Sequence, residues 1–356
     1  MTKPRITRLL IRQNCLLGRE TKLNYESHFW SQSKTRSALE HWIGTALQED
    51  AAGEDLTAPV LRNAVVPAAS GENSSSGNNF CEVRNPLIAK GVITAKADGV
   101  ICGLEAVLQT LKHLDPNVRV EETRADGSVV KAGEEIFVAI GLATSLLAGE
   151  RTALNICSHL SGIATATANL VEIAGGVKIY DTRKTLPGIR RFQKYAVTVG
   201  GGNNHRHDLA DFPMFKENHR AILQKSRPEL AGNPLEEVRW IKSELTREGY
   251  SGTISIEVED EASLRACLEE GIEVILVDNI SPATLANWID RARLDQIPVD
   301  GSHLEASGGI DGKTLAEHAS SGVGRISVGA ITHSSKVLDL SMSVELLTED
   351  SGAGDE

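Results

Sequence analysis

Paired cysteine motifs are missing from this sequence. Its five cysteines, Cys15, Cys81, Cys102, Cys157 and Cys267, are scattered and odd in number. Without a CxxC, neither a disulfide framework nor a zinc site is expected, and reduced, partly buried thiols are. No apolar run approaches the roughly 20 residues of a membrane span, so no membrane partner is expected. Positive charge is also short: the net charge of −11 argues against nucleic acid as the main partner. Residues 1–37 depart from this balance, with eight Lys or Arg against Glu20 and Glu26. They lack the apolar core of a secretory signal, and the two acids weaken an organelle-targeting reading. A disordered extension on a cytoplasmic protein is the expectation. A Gly-rich dinucleotide fingerprint is absent after the first strand of the α/β region, and no nucleophile–base triad is visible.

What is present is an ordinary globular composition, 41% hydrophobic and 24% charged over 356 residues, enough for two domains. From near Ser37, Leu39, Trp42, Ile43 and Leu47 recur at helical spacing. Gly71–Asn79 is low-complexity and reads as a flexible insertion. Ile88–Lys96, Gly99–Cys102 and Glu134–Ile140 have strand character, and Val107–Leu114 is helical. These give an α+β domain over 38–146. A helix over Glu150–Val171 then opens a second domain, 147–336. Its expected strands are Val177–Thr182, Phe212–Phe215, Thr253–Val258, Val274–Val277, Leu304–Ala306 and Arg325–Val328. Helices over Leu235–Arg247, Glu261–Glu270, Pro282–Ala292 and Lys313–Ser320 alternate with them. Such alternation implies parallel βαβ units and a closed or nearly closed barrel, with a doubly wound sheet as the alternative.

Parallel α/β folds carry their active residues at the C-terminal ends of strands. Here those ends hold Asp181 to Lys184, Lys216, Glu257, Asp278, Ser307 to Gly309, and Gly329. Arg183, Lys184, His205, Arg206 and Lys216 suit a substrate with several carboxylates or phosphates, because guanidinium binds planar anions bidentately. A single cation of this kind is ordinarily a solvated surface charge; clustering between strand ends changes that. Glu257 and Asp278 could bind ribose hydroxyls, hold a divalent cation or stabilise an oxocarbenium charge, or could be capping or salt-bridged carboxylates. The glycine turns Ser307-Gly308-Gly309 and Ser327-Val328-Gly329 present backbone N–H groups that suit a phosphate. The residues alone thus describe an α/β-barrel enzyme for a phosphorylated sugar and a carboxylate-rich second substrate.

Asp181-Thr-Arg-Lys-Thr-Leu-Pro-Gly-Ile-Arg190 resembles the signature of quinolinate phosphoribosyltransferases. Lys194-Tyr-Ala-Val, Gly200 to Arg206, Lys216-Glu-Asn-His219, Glu257-Val-Glu, Val277-Asp-Asn, Glu305 to Ile310 and Ser327 to His333 continue it in order. So do Glu150 to Asn155 and Leu160 to Thr165. The resemblance runs from about Ser37 to Leu347 and is weakest through 60–90. It implies an incomplete parallel α/β barrel, TIM-like, with an N-terminal α+β open-faced sandwich. Residues 337–347 are then expected to return to the first domain, leaving 348–356 as a tail. The implied reaction is transfer of phosphoribose from phosphoribosyl pyrophosphate to quinolinate with decarboxylation, giving nicotinate mononucleotide for NAD biosynthesis.

The same resemblance implies roles. Arg151, Arg183, His205 and Arg206 match the binders of the quinolinate carboxylates, and Lys184 and Lys216 are shared by both substrates. Glu257 and Asp278 match acids for the ribose hydroxyls and the magnesium–diphosphate region. Ser307, Gly308, Gly309, Gly329 and His333 fall where the 5′-phosphate is held. Lys184, Lys216, Glu257 and Asp278 are the expected catalytic set. Mg2+ is expected mainly with the diphosphate, with no dedicated protein metal site. A homodimer is implied, in which Arg151 crosses to the other subunit's pocket. Leu186 stands where Thr is usual, Asp208 replaces a frequent Gly, Glu217 replaces Asp, and Asn203 fills a variable slot. The rivals are a same-fold paralogue associated with molybdenum transport, a nicotinate or nicotinamide phosphoribosyltransferase, and a dead scaffold member. Lys216-Glu-Asn-His219 disfavours the first, the number of cations the second, and the intact Lys184, Glu257 and Asp278 the third.

Overall fold

The computed structural model describes residues 28–63 and 87–347. The chain forms two compact units: one runs to Gly162 and resumes at Val337, the other is Ile163–Lys336. Residues 1–27, the expected insertion 71–79 and the tail 348–356 lie outside the described residues.

In the first unit, helix α1 (Ser33–Glu49) buries Thr35, Leu39, Ile43 and Leu47, an i, i+4 stripe. Phe29 and Trp30, just before it, are also buried. The helical, partly buried segment from His28 onward therefore lies inside the extension expected over residues 1–37. The basic charge of the segment hid two aromatic anchors whose burial outweighs its polarity. After a short α2 (Ala58–Asn63), β1 (Ile88–Ala95) leads through β2 (Gly99–Val100) to helix α3 (Leu104–Leu114). The strands β3 (Arg119–Thr123), β4 (Val129–Val130) and β5 (Glu135–Leu142) follow. A final strand, β12 (Leu340–Leu346), completes an antiparallel sheet of order β12-β1-β5-β3. Alternation along β1 sends Ala89, Gly91, Ile93 and Ala95 inward. There they join Leu104, Val107 and Leu111 of α3 and Ile136 and Phe137 of β5 in one apolar cluster. Each such aliphatic side chain contributes about 1.5–3 kcal/mol on burial.

Helix α4 (Ala143–Ile173) carries the chain from one unit into the next. The boundary expected at 146/147 falls in its first turn. The change of unit comes instead at 162/163, since Ala153, Leu154 and Cys157 still pack in the first cluster. The helix continues through the polar Ser158, His159 and Ser161 because Ala and Leu dominate around them.

The second unit is a parallel sheet of six strands, β6 (Lys178–Tyr180), β7 (Met214–Phe215), β8 (Ser255–Val258), β9 (Val274–Asp278), β10 (Leu304–Ser307) and β11 (Arg325–Ser327). Their spatial order is β6-β11-β10-β9-β8-β7, so the first two strands in sequence form the two ends, and the barrel is incomplete. Helices α5 (Arg190–Val199), α6 (Glu217–Ser226), α7 (Pro234–Arg247), α8 (Glu261–Glu269), α9 (Pro282–Leu294), α10 (Leu315–Ala319) and α11 (Ala330–His333) alternate with them. Their starts are written in the sequence. Asn233 and Ser281 cap α7 and α9 with Pro at the next position, and the Asp260 carboxylate accepts from Ser263 N at 2.8 Å to start α8. Strands β6, β7, β8 and β11 are shorter than expected, while β9 and β10 each run one residue further; β6 stops at Tyr180, and Asp181 takes up side-chain bonds instead.

Candidate active site

Strand register places a polar row on one face of the parallel sheet. Glu257 pairs with Leu276, Leu276 with Glu305, Glu305 with Arg325, and Arg325 with Lys178. The alternate residues Ile256, Val258, Ile275, Val277, Leu304, Ala306 and Ile326 are buried apolar side chains, as period two requires. One layer further along, Asp278 lies opposite Ser307.

The row is tied by buried charge. Glu305 is fully buried and accepts from Ser327 Oγ in a short hydrogen bond. Arg325 Nε sits 3.0 Å from Glu305 Oε2, and its guanidinium lies 4.1 Å from the Tyr180 ring centroid. Burial pushes the Glu305 carboxyl up, and Arg325 opposes it. A second knot joins Asp181 and Lys194, both wholly buried, at 2.5 Å. Lys194 Nζ also donates to His205 O at 2.9 Å, and His205 N donates to Asp181 Oδ1 at 2.8 Å. Helix α5 supplies Lys194 and the turn after β6 supplies Asp181. Together they fix the Gly200–His205 segment, in which a Cβ at Gly200 would meet Ala164 O at 2.4 Å.

His205 follows from these contacts. Its Nδ1 accepts from Arg206 N at 2.8 Å, leaving the proton on Nε2, 3.5 Å from Glu305 Oε1. Burial, then Arg325, Lys194, Arg206 and Lys216, push its pKa down to about 3. The imidazole is therefore neutral, a hydrogen-bond donor rather than a cation. This corrects the reading of His205 as a potential positive charge: too many cations already surround it.

Arg206 is buried and donates from Nη1 to Phe212 O at 3.0 Å, while Nε of Arg183 is buried with no partner among the described residues. Burial and then the Arg183 charge lower the Arg206 pKa, and the Asp211 carboxylate opposes them. No ion pair among the described residues neutralises either one. Lys184 is exposed, and its side chain lies against Gly329, where a Cβ would meet Lys184 Cδ at 3.0 Å and His333 Nε2 at 3.4 Å. Lys184, Gly329 and His333 are thus brought together. Thr332 Oγ1 clamps Lys184 O at 2.8 Å.

Lys216 Nζ donates to Glu257 Oε2 at 2.8 Å, and Glu217 N approaches Glu257 Oε1 at 3.3 Å, so Glu257 serves the start of α6. Asp278 accepts from Asn279 Nδ2 at 2.7 Å. Asn279 has a left-handed φ of 56°, and its Oδ1 would lie 2.2 Å from a Cβ on Gly308, whose φ is 93°. Gly309 also has positive φ, 60°. Two successive glycines of this kind turn backbone N–H groups toward one concavity, next to Ser307.

Arg151 lies on α4 in the first unit, exposed and 3.5 Å from Glu150; the other expected site residues all belong to the second unit. Sequence reasoning missed the supporting charges Lys194, Glu305, Arg325, Arg220 and Glu237. Lys194 did carry a signal, a cation amid the buried run Phe192 to Val197, and so did Glu305, an acid alternating with Leu304 and Ala306. No helix among the described residues is long and apolar enough to cross a membrane.

Comparison with known proteins identifies the family. The model of the quinolinate phosphoribosyl transferase C-terminal domain matches residues 163–343, and that of the N-terminal domain matches 79–161. A probable nicotinate-nucleotide pyrophosphorylase (carboxylating) of Bacillus subtilis is 39% identical over 259 residues, covering 72% of this chain and 84% of the relative. The nicotinate-nucleotide pyrophosphorylase (carboxylating) of Mycobacterium leprae is 36% identical over 261 residues, 72% and 87% of the two chains. Among solved structures, NadC from Streptococcus pyogenes superposes with a TM-score of 0.72 at 30% identity, covering 89% of this chain and 100% of that one. The chain belongs to the quinolinate phosphoribosyltransferase family.

Proposed function

We propose that this protein transfers phosphoribose from phosphoribosyl pyrophosphate to quinolinate and releases carbon dioxide, forming nicotinate mononucleotide. The observation that carries the reading is the pair Arg183 and Arg206: the Nε of Arg183 is buried without a partner, Arg206 is buried, and neither takes part in an ion pair among the described residues. Two guanidiniums of this kind suit a rigid dicarboxylate. The relatives' names specify a carboxylating pyrophosphorylase, which is this reaction written in reverse.

Arg183 and Arg206 hold the quinolinate carboxylates, His205 donates from Nε2, and Lys184 and Lys216 sit between the two substrates. The turns at Ser307–Gly309 and Gly329–His333 take the 5′-phosphate. The pyridine nitrogen forms a bond to the anomeric carbon as the bond to diphosphate breaks. Glu257 and Asp278 stabilise the positive charge that develops on the ribose. The resulting pyridinium draws in the electron pair left when the adjacent carboxylate departs as carbon dioxide, and a proton takes its place. The protein mainly positions and neutralises.

Magnesium fits this scheme as a companion of the diphosphate. Slight burial and the carboxylates of Glu217, Glu257 and Asp278 raise the Glu259 pKa, a local surplus of negative charge that suits a divalent cation. Among the described residues no three His, Cys, Asp or Glu side chains gather as a metal cage. Bound there, the ion neutralises the leaving group. Arg151 completes the site across a homodimer interface in this reading. The cytoplasm is its assigned compartment, in keeping with three buried free thiols, Cys102, Cys157 and Cys267.

The test is carbon dioxide release from carboxyl-labelled quinolinate with phosphoribosyl pyrophosphate and magnesium, each omitted in turn. Release that needs all three is expected. Arg206→Ala is expected to lower kcat/KM for quinolinate roughly a hundredfold, with a smaller effect on the sugar substrate. No release from the folded wild type would rule the reading out and favour another acceptor on the same fold.

A further inference from the structure

Beside the Lys216–Glu257 pair lies a network of hydrogen bonds centred on Arg220. Arg220 lies one turn into α6, and its main-chain N–H donates to Lys216 O at 3.0 Å. Its guanidinium is bonded through all three nitrogens inside the protein. Nε and Nη2 donate to the two carboxylate oxygens of Glu237 at 2.9 and 3.1 Å, and Nη2 also reaches Ser263 Oγ at 3.0 Å. Nη1 donates to the main-chain oxygen of Glu257 at 3.2 Å. Glu237 is 1% exposed and takes a further bond from Gln224 Nε2 at 2.8 Å. One side chain thus joins α6, α7, α8 and the C-terminal end of β8.

We propose that Arg220 is a positioning residue for the sugar substrate: its guanidinium fork locks the first turn of α6 onto Glu257 and so sets the Lys216–Glu257 pair. This rests on the assignment of Glu257 to the ribose made above. The need for such a lock is visible in the pair itself. The Lys216 side chain is 47% exposed, and an exposed ammonium on a four-carbon stem does not hold a fixed position. Glu217 N is a long 3.3 Å from Glu257. Among the described residues, the Arg220 side chain is the one that reaches the Glu257 main-chain oxygen from α6. A fork with fixed geometry can serve Glu237, Ser263 and Glu257 at once; the three donors of a lysine radiate from a single atom and cannot span them. Among the described residues, no hydrogen bond or ion pair joins Arg220 to the phosphate turns after β10 and β11, and they provide an internal control.

The experiment measures two dissociation constants by calorimetry on the full chain, for ribose 5-phosphate and for inorganic phosphate. Both probes use the phosphate turns, and only the first presents hydroxyls to Glu257. The variants are Arg220→Lys, which keeps the charge, and the double variant Arg220→Met with Glu237→Leu, which removes both buried partners together and so avoids an orphaned charge. In each folded variant the ribose 5-phosphate constant is expected to rise about tenfold, as loss of one charge-assisted bond implies. The inorganic phosphate constant is expected to stay within about twofold. Unchanged ribose 5-phosphate binding in Arg220→Lys, or equal weakening of both probes, would overturn the inference and leave Arg220 a structural residue. Absence of carbon dioxide release from the wild type would instead overturn the functional reading, whatever the variants do.

Discussion

The two units bury different things. In the first, the buried acids are Asp115 and Asp126, and both serve the backbone. Asp126 Oδ1 accepts from Gly103 N and Leu104 N at 2.9 and 3.2 Å, and Asp115 accepts from Asn117 N and Leu142 N, each at 2.9 Å. Among the described residues no cation is buried there. The second unit buries Lys194 and Arg206 as well as Asp181, Glu237, Glu257 and Glu305. The first core is apolar packing with buried polar groups that bond only neutral partners. The second is a charged framework of buried ion pairs, Lys194 with Asp181 and Arg325 with Glu305, which add little net stability. Such a framework serves position more than stability, which is what anion binding asks of it.

Three changes bear on that contrast, from the largest effect to the smallest. Lys194→Met leaves Asp181 buried without its partner and is expected to cost about 3–5 kcal/mol, read in a denaturant titration. Adding Asp181→Asn is expected to recover much of the loss; no recovery would mean that Lys194 acts through packing alone. The second change is in pH. His205 has a folded pKa pushed down to about 3 against 6.5 unfolded, so the unfolded chain binds the extra proton between those values. Its contribution is complete above about pH 6.5 and is lost as pH falls toward 3. The stability of the wild type is expected to decline over that window, and His205→Gln to flatten the decline. The same slope in both proteins would remove His205 as its source. The third change is Asp115→Asn in the first unit. It weakens backbone bonds without orphaning a charge and is expected to cost about 1 kcal/mol. A loss as large as that of Lys194→Met would erase the distinction between the units.

The sequence carried more of the catalytic layer than of its support. Strands β8, β9 and β10 were legible because apolar runs such as Val274–Val277 stand between amphipathic helices, and the residues at their ends followed. Strand β3 was not: Arg119–Thr123 is a mostly exposed strand at the end of its sheet, with no buried face to leave a pattern. Helix α5 is amphipathic, with its pattern overlaid by motif residues, and α6 fully buries no side chain and so left no apolar stripe. The Asp181–Lys194–His205 knot was beyond reach for a different reason. Its members stand 11 to 24 positions apart, and only the fold decides that a lysine among apolar neighbours turns inward. Arg220 and Glu237, 17 positions apart on two helices, escaped in the same way. Charge at a strand end can be inferred from pattern, whereas charge paired across elements cannot.

Strand β12 lies beside β1, pairing from Ala89↔Leu346 to Ala95↔Leu340, although the whole second unit separates them in sequence. On the ribosome, the first unit must therefore wait with one edge of its sheet open until Leu340–Leu346 emerges. Leu338 and Leu340, which belong to its apolar cluster, arrive equally late. The barrel half can form while the chain is still growing; the half that was begun first is finished last. A chain stopped just after Lys336 would keep every residue of the charged framework and still leave an unpaired strand edge exposed to other chains.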